Sequence, residues 1–180
     1  MKAIAILMVI AFTVTGPLLA NAGSPEDWSV ELARSLPLLG HRNFIVIADS
    51  AYPLQSNPGI RTIYTGENQI DVVKKVLAAV ENAAHVNGTI YLDQELSFVP
   101  EEHAAGIDSY RASLEEVLAG RPVQRLPHMD IIRKLDESSE LFNVLILKTD
   151  LTLPYTSVFI ELGAGYWNEE AETELRARMN

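Results

Sequence analysis

The chain of 180 residues contains no cysteine. This absence excludes a thiol nucleophile, a cysteine-ligated zinc site and stabilisation by disulfide bonds. The fold must therefore be held together by side-chain packing or by association with other copies of the same chain.

Basic residues are also few. The sequence has 14 Lys and Arg against 24 Asp and Glu, which gives a net charge of −10. An acidic chain without basic clusters is repelled by nucleic acid phosphates and by anionic lipid headgroups. We therefore expect neither a nucleic acid nor a membrane surface as a partner.

Two common ligand-binding patterns are missing as well. No GxGxxG sequence follows the first predicted strand, which excludes a dinucleotide-binding Rossmann domain. No pair of histidines has the HxxxH spacing of a helical zinc site. The sequence also shows no internal repeat and no low-complexity linker, so we expect a single domain.

The long apolar run of the chain lies at its N-terminus. A positive residue, Lys2, precedes the apolar block Ala3–Val14, and Ala20-Asn21-Ala22 supplies a small-x-small cleavage pattern. The block is too short to span a membrane comfortably, which disfavours the alternative of an uncleaved anchor. The sequence predicts a signal peptide over residues 1–22, a mature start at Gly23, and export to the bacterial periplasm or beyond.

Strand and helix patterns alternate along the rest of the chain. This alternation predicts a layered α/β/α domain with a mostly parallel or mixed central sheet over residues 23–166, followed by an acidic, solvated, helical tail over 167–180. The predicted strands are Phe44–Asp49, Arg61–Thr65, Gly88–Leu92, a short one near Val123, Val144–Leu147 and Ser157–Leu162. The predicted helices are Ser24–Leu36, Gln69–Ala84, Ile107–Leu118 and Met129–Ser139.

The first strand carries the strongest functional signal. Four apolar residues, Phe44 to Ile47, indicate a buried parallel strand, and Asp49 follows where the strand ends. Open α/β sheets bind ligands at the carboxyl ends of their strands. His41 precedes the same strand by a few residues, and an imidazole exchanges protons near neutral pH. A histidine and a carboxylate together favour acid–base chemistry on a small polar molecule.

The same segment resembles a known family. Leu39-Gly40-His41, followed by Ile45 through Pro53, is similar to the opening of the ribose pyranase and fucose mutarotase family (RbsD/FucU). That family opens with a Gly-His pair, an apolar strand and an Ala-Asp-Ala-x-x-Pro ending. Its last segments correspond, in the same order, to Thr149-Asp150, Pro154-Tyr155-Thr156-Ser157 and Val158-Phe159-Ile160. The similarity covers the chain from about Leu32 to Leu162.

The resemblance implies an isomerase that interconverts ring or anomeric forms of a free monosaccharide without a cofactor. The family's catalytic histidine and aspartate fall on His41 and Asp49, and its second histidine falls on His128. The family tyrosine that binds substrate falls on Tyr155, and Ser157 stands where the family has asparagine. Family members form rings, commonly decamers, with active sites between neighbouring subunits. The resemblance therefore implies a ring-like homo-oligomer.

Predictions for other acidic residues and histidines rest on their positions in the sequence alone. Asp93, with Glu95 close behind, ends another apolar strand, and we predict that Asp93 contacts the substrate in the same crevice. His85 and His103 lie in polar helix-end segments, and we expect both to face solvent.

Alternative interpretations remain at this stage. His41 could be an ordinary loop histidine, Asp49 a turn former, His128 a helix-entry residue and Tyr155 a packed aromatic. His41, Asp49 and His128 could instead form a two-histidine, one-carboxylate metal site. The chain could also be a non-catalytic exported module that binds sugars.

Overall fold

The computed structural model describes residues 27–179 and contains one six-stranded sheet with helices on both faces. The strands are β1 (Phe44–Ala48), β2 (Ile60–Tyr64), β3 (Val86–Asp93), β4 (Val123–Leu126), β5 (Val144–Lys148) and β6 (Val158–Ala164). The helices are α1 (Asp27–Ser35), α2 (Gln69–Glu81), α3 (Ile107–Leu118), α4 (His128–Ser139) and α5 (Glu169–Met179). The predicted α/β class with a mixed sheet is confirmed.

The order of the strands brings the loops that carry most of the candidate site residues to one side of the sheet. The order across the sheet is β2-β5-β1-β6-β3-β4, and β6 is antiparallel to both of its neighbours. The other strand pairs are parallel. The carboxyl ends of β1 to β5 therefore meet the amino end of β6 at one side of the sheet, which we call the carboxyl edge. The opposite side is the amino edge.

The sheet is buried on both faces. All five residues of β1 are buried, as expected for a continuous apolar run at the centre of a parallel sheet. One face packs against α1, α2 and α3, with Trp28, Val76 and Leu114 in its core. The other face packs mainly against α4, where Ile131 and Leu135 cover Phe44 and Phe159. The helical cover leaves the two edges of the sheet as the places where polar loops collect.

Most predicted element positions agree with the structure, with small shifts at the ends. Helix α3 has the predicted bounds, and β3 is longer than predicted because it continues to Asp93. Two short 3-10 helices, Leu36–Leu38 and Gln94–Phe98, were not predicted. The predicted signal peptide and the predicted helix start at Ser24 lie outside the described residues.

The end of the chain forms the exposed helix α5, whose residues are all at least partly accessible to solvent. Within residues 27–179, no helix has the length and apolar character needed to cross a membrane.

Candidate active site

The carboxyl edge brings together five of the six predicted site residues. Asp49 follows β1, Asp93 ends β3, and His128 begins α4 directly after β4. Tyr155 and Ser157 precede the antiparallel strand β6, so they reach the same edge from the opposite chain direction. Convergence of these residues is a consequence of strand order, since 108 positions separate Asp49 from Ser157.

Asp49 is fixed by its own turn. Its Oδ1 accepts a hydrogen bond from the backbone N–H of Ala51 at 2.8 Å, which is the pattern of an Asx turn. Its Oδ2 accepts from the Ser157 hydroxyl at 3.4 Å, a long contact at the limit of hydrogen bonding. Asp49 is half-buried and Ser157 is buried. The carboxylate therefore keeps unused acceptor capacity toward the crevice.

Asp93 and His128 form a second pair. Asp93 Oδ2 lies 3.1 Å from His128 Nδ1, and the exposed fractions of the two side chains are 1% and 34%. The distance is short, but the direction of the contact does not meet the angular requirement for a hydrogen bond. Within residues 27–179 neither carboxylate oxygen of Asp93 has another hydrogen-bond partner. The pair is an electrostatic contact with unsatisfied polar atoms.

Burial is the largest influence on the pKa of Asp93. It raises the pKa of this carboxyl to about 6, and the nearby Glu95 and Asp49 also raise it. The adjacent His128 acts in the opposite direction and lowers the pKa. Asp93 therefore changes charge close to the pH range in which histidine does.

Glu95 holds the start of α4. Both of its carboxylate oxygens accept from the backbone N–H of His128, at 3.0 and 3.1 Å. Negative charge at a helix N-terminus is favourable because the first N–H groups lack partners within the helix. His128 is thus held at its backbone by Glu95 and contacted at its ring by Asp93.

Tyr155 lies against His128. The two rings meet edge to face, with centroids 5.5 Å apart and planes at 82°. Tyr155 has a positive φ of 57° and remains 41% exposed. A non-glycine residue in the left-handed region is strained and is found preferentially at functional sites. The loop before β6 therefore presents an aromatic face beside the imidazole.

A buried polar network supports this loop, and sequence reasoning missed it. The amide nitrogen of Gln69 donates to the Tyr110 hydroxyl and to the carbonyl of Thr156, while its oxygen accepts from the Thr149 hydroxyl. Gln69 is fully buried at the first position of α2, three residues before Val72. Its place on the apolar face of the predicted helix was the available signal that this polar residue is buried.

Tyr52 is a further residue that the sequence did not single out. Its side chain is 7% exposed, and its hydroxyl is buried without a hydrogen-bond partner in the described part of the chain. Burial, together with the carboxylates of Asp136, Asp93 and Asp49, raises its pKa to about 12. Tyr52 therefore adds an unsatisfied donor near the two aspartates of the edge.

His41 lies elsewhere. It is exposed, and it precedes β1 at the amino edge, where the N–H of its neighbour Arg42 donates to Leu162 at 2.8 Å. The five residues of β1 alone span about 13 Å, so His41 cannot contact Asp49 in the same chain. His41 and Asp49, both predicted to be catalytic, therefore do not act as a directly contacting pair within a single chain. The alternative metal site on His41, Asp49 and His128 fails within one chain for the same reason.

The other two histidines differ from each other. His85 does not face solvent as predicted: its Nε2 lies 3.0 Å from the carbonyl oxygen of Leu36 and 3.2 Å from that of Leu39. His103 is exposed as predicted, with its Nε2 3.5 Å from Glu102. The ring contacts of both histidines are to residues outside the predicted site: Leu36 and Leu39 for His85, and Glu102 for His103.

Two surface clefts lie away from this edge. One of about 350 Å³ lies between α2 and α3, and one of about 310 Å³ lies beside β4. Their linings include none of the predicted site residues. Neither cleft includes Asp93, His128 or Tyr52, whose buried polar atoms at the carboxyl edge lack hydrogen bonds to any described residue.

Comparison with known families gives one match to this fold. The model of the RbsD / FucU transport protein family matches residues 28–164. This range includes all six strands and every predicted site residue. A comparison with curated proteins finds no match.

Solved structures give the same fold at low sequence identity. Bacillus subtilis RbsD complexed with D-ribose is 20% identical, with a TM-score of 0.52 over 74% of this chain and 92% of that one. The fucose mutarotase from Streptococcus pneumoniae in complex with L-fucose is 20% identical, with a TM-score of 0.51 over 78% and 96%. FucU from Bifidobacterium longum is 17% identical, with a TM-score of 0.51 over 75% and 94%.

Proposed function

The chain belongs to the RbsD / FucU transport protein family, and we propose that it is a mutarotase or pyranase that interconverts ring or anomeric forms of a free monosaccharide. The family resemblance predicted from the sequence is thereby confirmed. Two structures with the same fold hold D-ribose and L-fucose, which supports a free sugar as the ligand here. The observation that carries the proposal is the grouping of His128, Asp49, Ser157 and Tyr155 at the carboxyl edge.

The proposed reaction is proton exchange on a cyclic hemiacetal. Opening the ring removes a proton from the anomeric hydroxyl and delivers one to the ring oxygen as the C–O bond breaks; closing reverses both transfers. His128 exchanges these protons, because an imidazole both accepts and donates near neutral pH. No metal, nucleotide or covalent intermediate is needed. We therefore expect the rate to be unchanged by treatment with a metal chelator.

The other residues of the edge bind and orient the sugar. Asp49 accepts hydrogen bonds from sugar hydroxyls through its unused lone pairs, and Ser157 lies within 3.4 Å of the same carboxylate. Tyr155, which is 41% exposed, offers a phenol ring with its hydroxyl next to His128. A small set of polar groups in fixed positions is what a monosaccharide site requires.

We further propose that His41 completes the site of a neighbouring copy in a ring-like homo-oligomer, which the family resemblance suggests is a decamer. His41 lies at the amino edge, so a contact between the amino edge of one copy and the carboxyl edge of the next would bring it to His128. Both edges expose large apolar side chains: Phe98 and Met129 at the carboxyl edge, and Leu38 and Leu141 at the amino edge. A head-to-tail contact of this type generates closed rings.

Exchange NMR tests the proposed function. Saturation of one anomer of a free sugar transfers to the other at a rate set by interconversion, and the protein should raise this rate for at least one pentose or deoxyhexose. His128→Gln and His41→Ala should each abolish the acceleration. A protein that binds a sugar but leaves the exchange rate unchanged would be the non-catalytic binding module instead. Acceleration that survives both substitutions would contradict the proposed site.

Export is a separate proposal that is based on residues 1–22 alone. Its test is mass measurement of the protein recovered from the producing cell and its medium. We expect a mature chain that begins at Gly23 in an exported fraction. An intact N-terminus in an unexported fraction would contradict it.

A further inference from the structure

We propose that Asp93 is a positioning residue, which holds the Nδ1 side of the His128 imidazole so that Nε2 is the nitrogen that exchanges protons with the ligand. The inference rests on the proposed function for its catalytic meaning. The ring orientation itself is a property of the protein without sugar. Asp93 then acts through His128 and does not contact the sugar, which differs from the direct substrate contact predicted from the sequence.

Burial separates the two residues into inner and outer positions. The Asp93 side chain is 1% exposed, and both of its oxygens are inaccessible to solvent. A sugar at the surface therefore cannot reach them without a rearrangement. His128 is 34% exposed, but its Nδ1 is buried. The exposed part of the ring lies away from Nδ1, which leaves Nε2 to meet a ligand.

Unsatisfied atoms indicate that the two side chains are matched. Asp93 Oδ1, Asp93 Oδ2 and His128 Nδ1 are buried without a hydrogen bond to any described residue, although Oδ2 and Nδ1 are only 3.1 Å apart. Buried polar atoms without partners are rare in folded proteins. A small rotation of the ring would align Nδ1–H with Oδ2. Hydrogen bonds of this kind are often misaligned in unliganded sites and tighten when substrate binds.

Apart from this rotation of the ring, other contacts hold His128 in place, and one of them comes from a second carboxylate. Glu95 fixes the backbone N–H of the same residue through both oxygens, at 3.0 and 3.1 Å. Tyr155 packs against the ring at a centroid distance of 5.5 Å. The backbone is therefore anchored and one side of the ring is packed, so the contact with Asp93 decides which nitrogen faces outward.

Several charged groups surround Asp93. Glu95 and Asp49 raise its pKa, His128 lowers it, and the carboxylate in turn raises the pKa of the Tyr52 phenol. With burial, these groups bring the pKa of Asp93 to about 6. Above that pH an anionic Asp93 favours Nδ1–H and stabilises the imidazolium. His128 then takes a proton at Nε2 from the anomeric hydroxyl and returns one to the ring oxygen.

The test reads the tautomer of His128 directly. The chain has four histidines, so a 15N-histidine spectrum contains four imidazoles, and the one missing in His128→Gln identifies this ring. Above pH 7 we expect protonated Nδ1 and unprotonated Nε2 in the wild type. Asp93→Leu, which is nearly isosteric and cannot accept a hydrogen bond, should move the neutral ring toward Nε2–H. Glu95→Gln, which retains acceptors for the backbone N–H, should keep the wild-type tautomer.

Kinetics supply the second measurement. In Asp93→Leu the exchange rate at saturating sugar should fall by about 10-fold, less than the ~10²–10⁴-fold that a positioned acid–base group contributes, because His128 itself remains. The KM should change little, since Asp93 does not touch the sugar. The limb of the pH–rate profile that reports His128 should shift to lower pH. Asp93→Asn serves as the second variant if Asp93→Leu does not fold, with the same expected shift of the pH–rate profile.

The outcomes separate this inference from the proposed function. A wild type that accelerates no sugar exchange contradicts the function, while the tautomer spectra still decide the role of Asp93. An active wild type with Nε2–H, or with a tautomer and pH profile unchanged in the Asp93 variants, overturns the inference and leaves the function standing. A large rise in KM with an unchanged tautomer would return Asp93 to direct sugar binding.

Discussion

The carboxyl edge and the amino edge of the sheet each carry a predicted catalytic histidine, but in opposite surroundings. At the carboxyl edge, buried polar atoms of Asp93, His128 and Tyr52 lack hydrogen bonds to any described residue. At the amino edge the buried amide of Asn43 is used on both sides: it accepts from Gly40 at 2.7 Å and donates to Asn143 at 3.2 Å. Among the described residues, the carboxyl edge thus has polar side chains with incomplete hydrogen bonding, and the amino edge has a loop whose buried amide is satisfied.

Both histidines lie next to backbone strain. Arg42, beside His41, has a φ of 73°, and Tyr155, against His128, has a φ of 57°. They are the two non-glycine residues with positive φ among residues 27–179. Strain of this kind persists where the surrounding structure holds a loop in one conformation. The comparison indicates that the amino edge presents an exposed histidine on a loop held at its backbone, while the carboxyl edge groups the other predicted site residues.

The largest expected difference between the edges concerns His128. His128→Gln should reduce the acceleration of anomer exchange by about 10²–10⁴-fold, because it removes the group that exchanges protons. The matched control is His103→Gln, at an exposed histidine whose ring contacts Glu102 and not a predicted site residue, and it should retain the wild-type rate. The rates are read from the same exchange NMR experiment. Equal rates for the two variants would show that the carboxyl edge is not the reactive one.

The pH response of stability should depend on the buried carboxyl of the carboxyl edge. The pKa of Asp93 is raised from 3.8 to about 6 in the folded protein, so the unfolded chain loses this proton first as pH rises. The folded state then binds more protons between about pH 4 and 6, and the free energy of unfolding should fall by roughly 3 kcal/mol across that window. Asp93→Asn should remove this decrease in urea unfolding. If the free energy of unfolding of the wild type instead rose relative to that of Asp93→Asn over the same pH window, the burial argument would be contradicted.

Each edge has a loop that is held by a buried amide side chain, and substituting these two amides compares how much each loop depends on it. Gln69→Leu removes hydrogen bonds to Tyr110, Thr156 and Thr149, and it should lower the free energy of unfolding by about 1–3 kcal/mol. It should also reduce the exchange rate, because Thr156 joins Tyr155 to Ser157. Asn43→Ala should cost a similar amount of stability. Its effect on the rate should appear only through the His41 loop and therefore only in the assembled oligomer.

The smallest effect is expected at Tyr52. Tyr52→Phe removes a buried hydroxyl that has no hydrogen-bond partner in the described residues, so it should raise the free energy of unfolding by about 1 kcal/mol. Thermal or urea unfolding of the ligand-free protein measures this. A loss of stability would show that the hydroxyl has a partner after all, and that the carboxyl edge is less unsatisfied than proposed.

The sequence was informative where local pattern decides structure. The apolar run of β1 and the periodicity of α3 are strong signals, and both elements lie where they were predicted. The position of Asp49 at the carboxyl edge followed from the strand alone. The contact between Asp93 and His128 was not predictable, since it depends on β3 and β4 being parallel neighbours. Nor could a single residue pattern reveal that Gln69 reaches Thr156, 87 positions away.

His41 shows how sequence proximity can mislead. It is close to Asp49 along the chain, but an extended strand is a rigid spacer that carries the two residues to opposite edges. The family resemblance suggested both residues as candidates, and only the fold shows that one chain cannot bring them together. A site that needs both residues must use two copies.

A mixing experiment tests this claim most directly. His41→Ala has an intact carboxyl edge, and His128→Gln has an intact amino edge. If each site takes His128 from one copy and His41 from the next, random reassembly of equal amounts should restore about a quarter of the wild-type exchange rate. Each variant put through the same dissociation and reassembly alone is the control. A mixture that shows no more activity than the two controls would contradict a site shared between the edges.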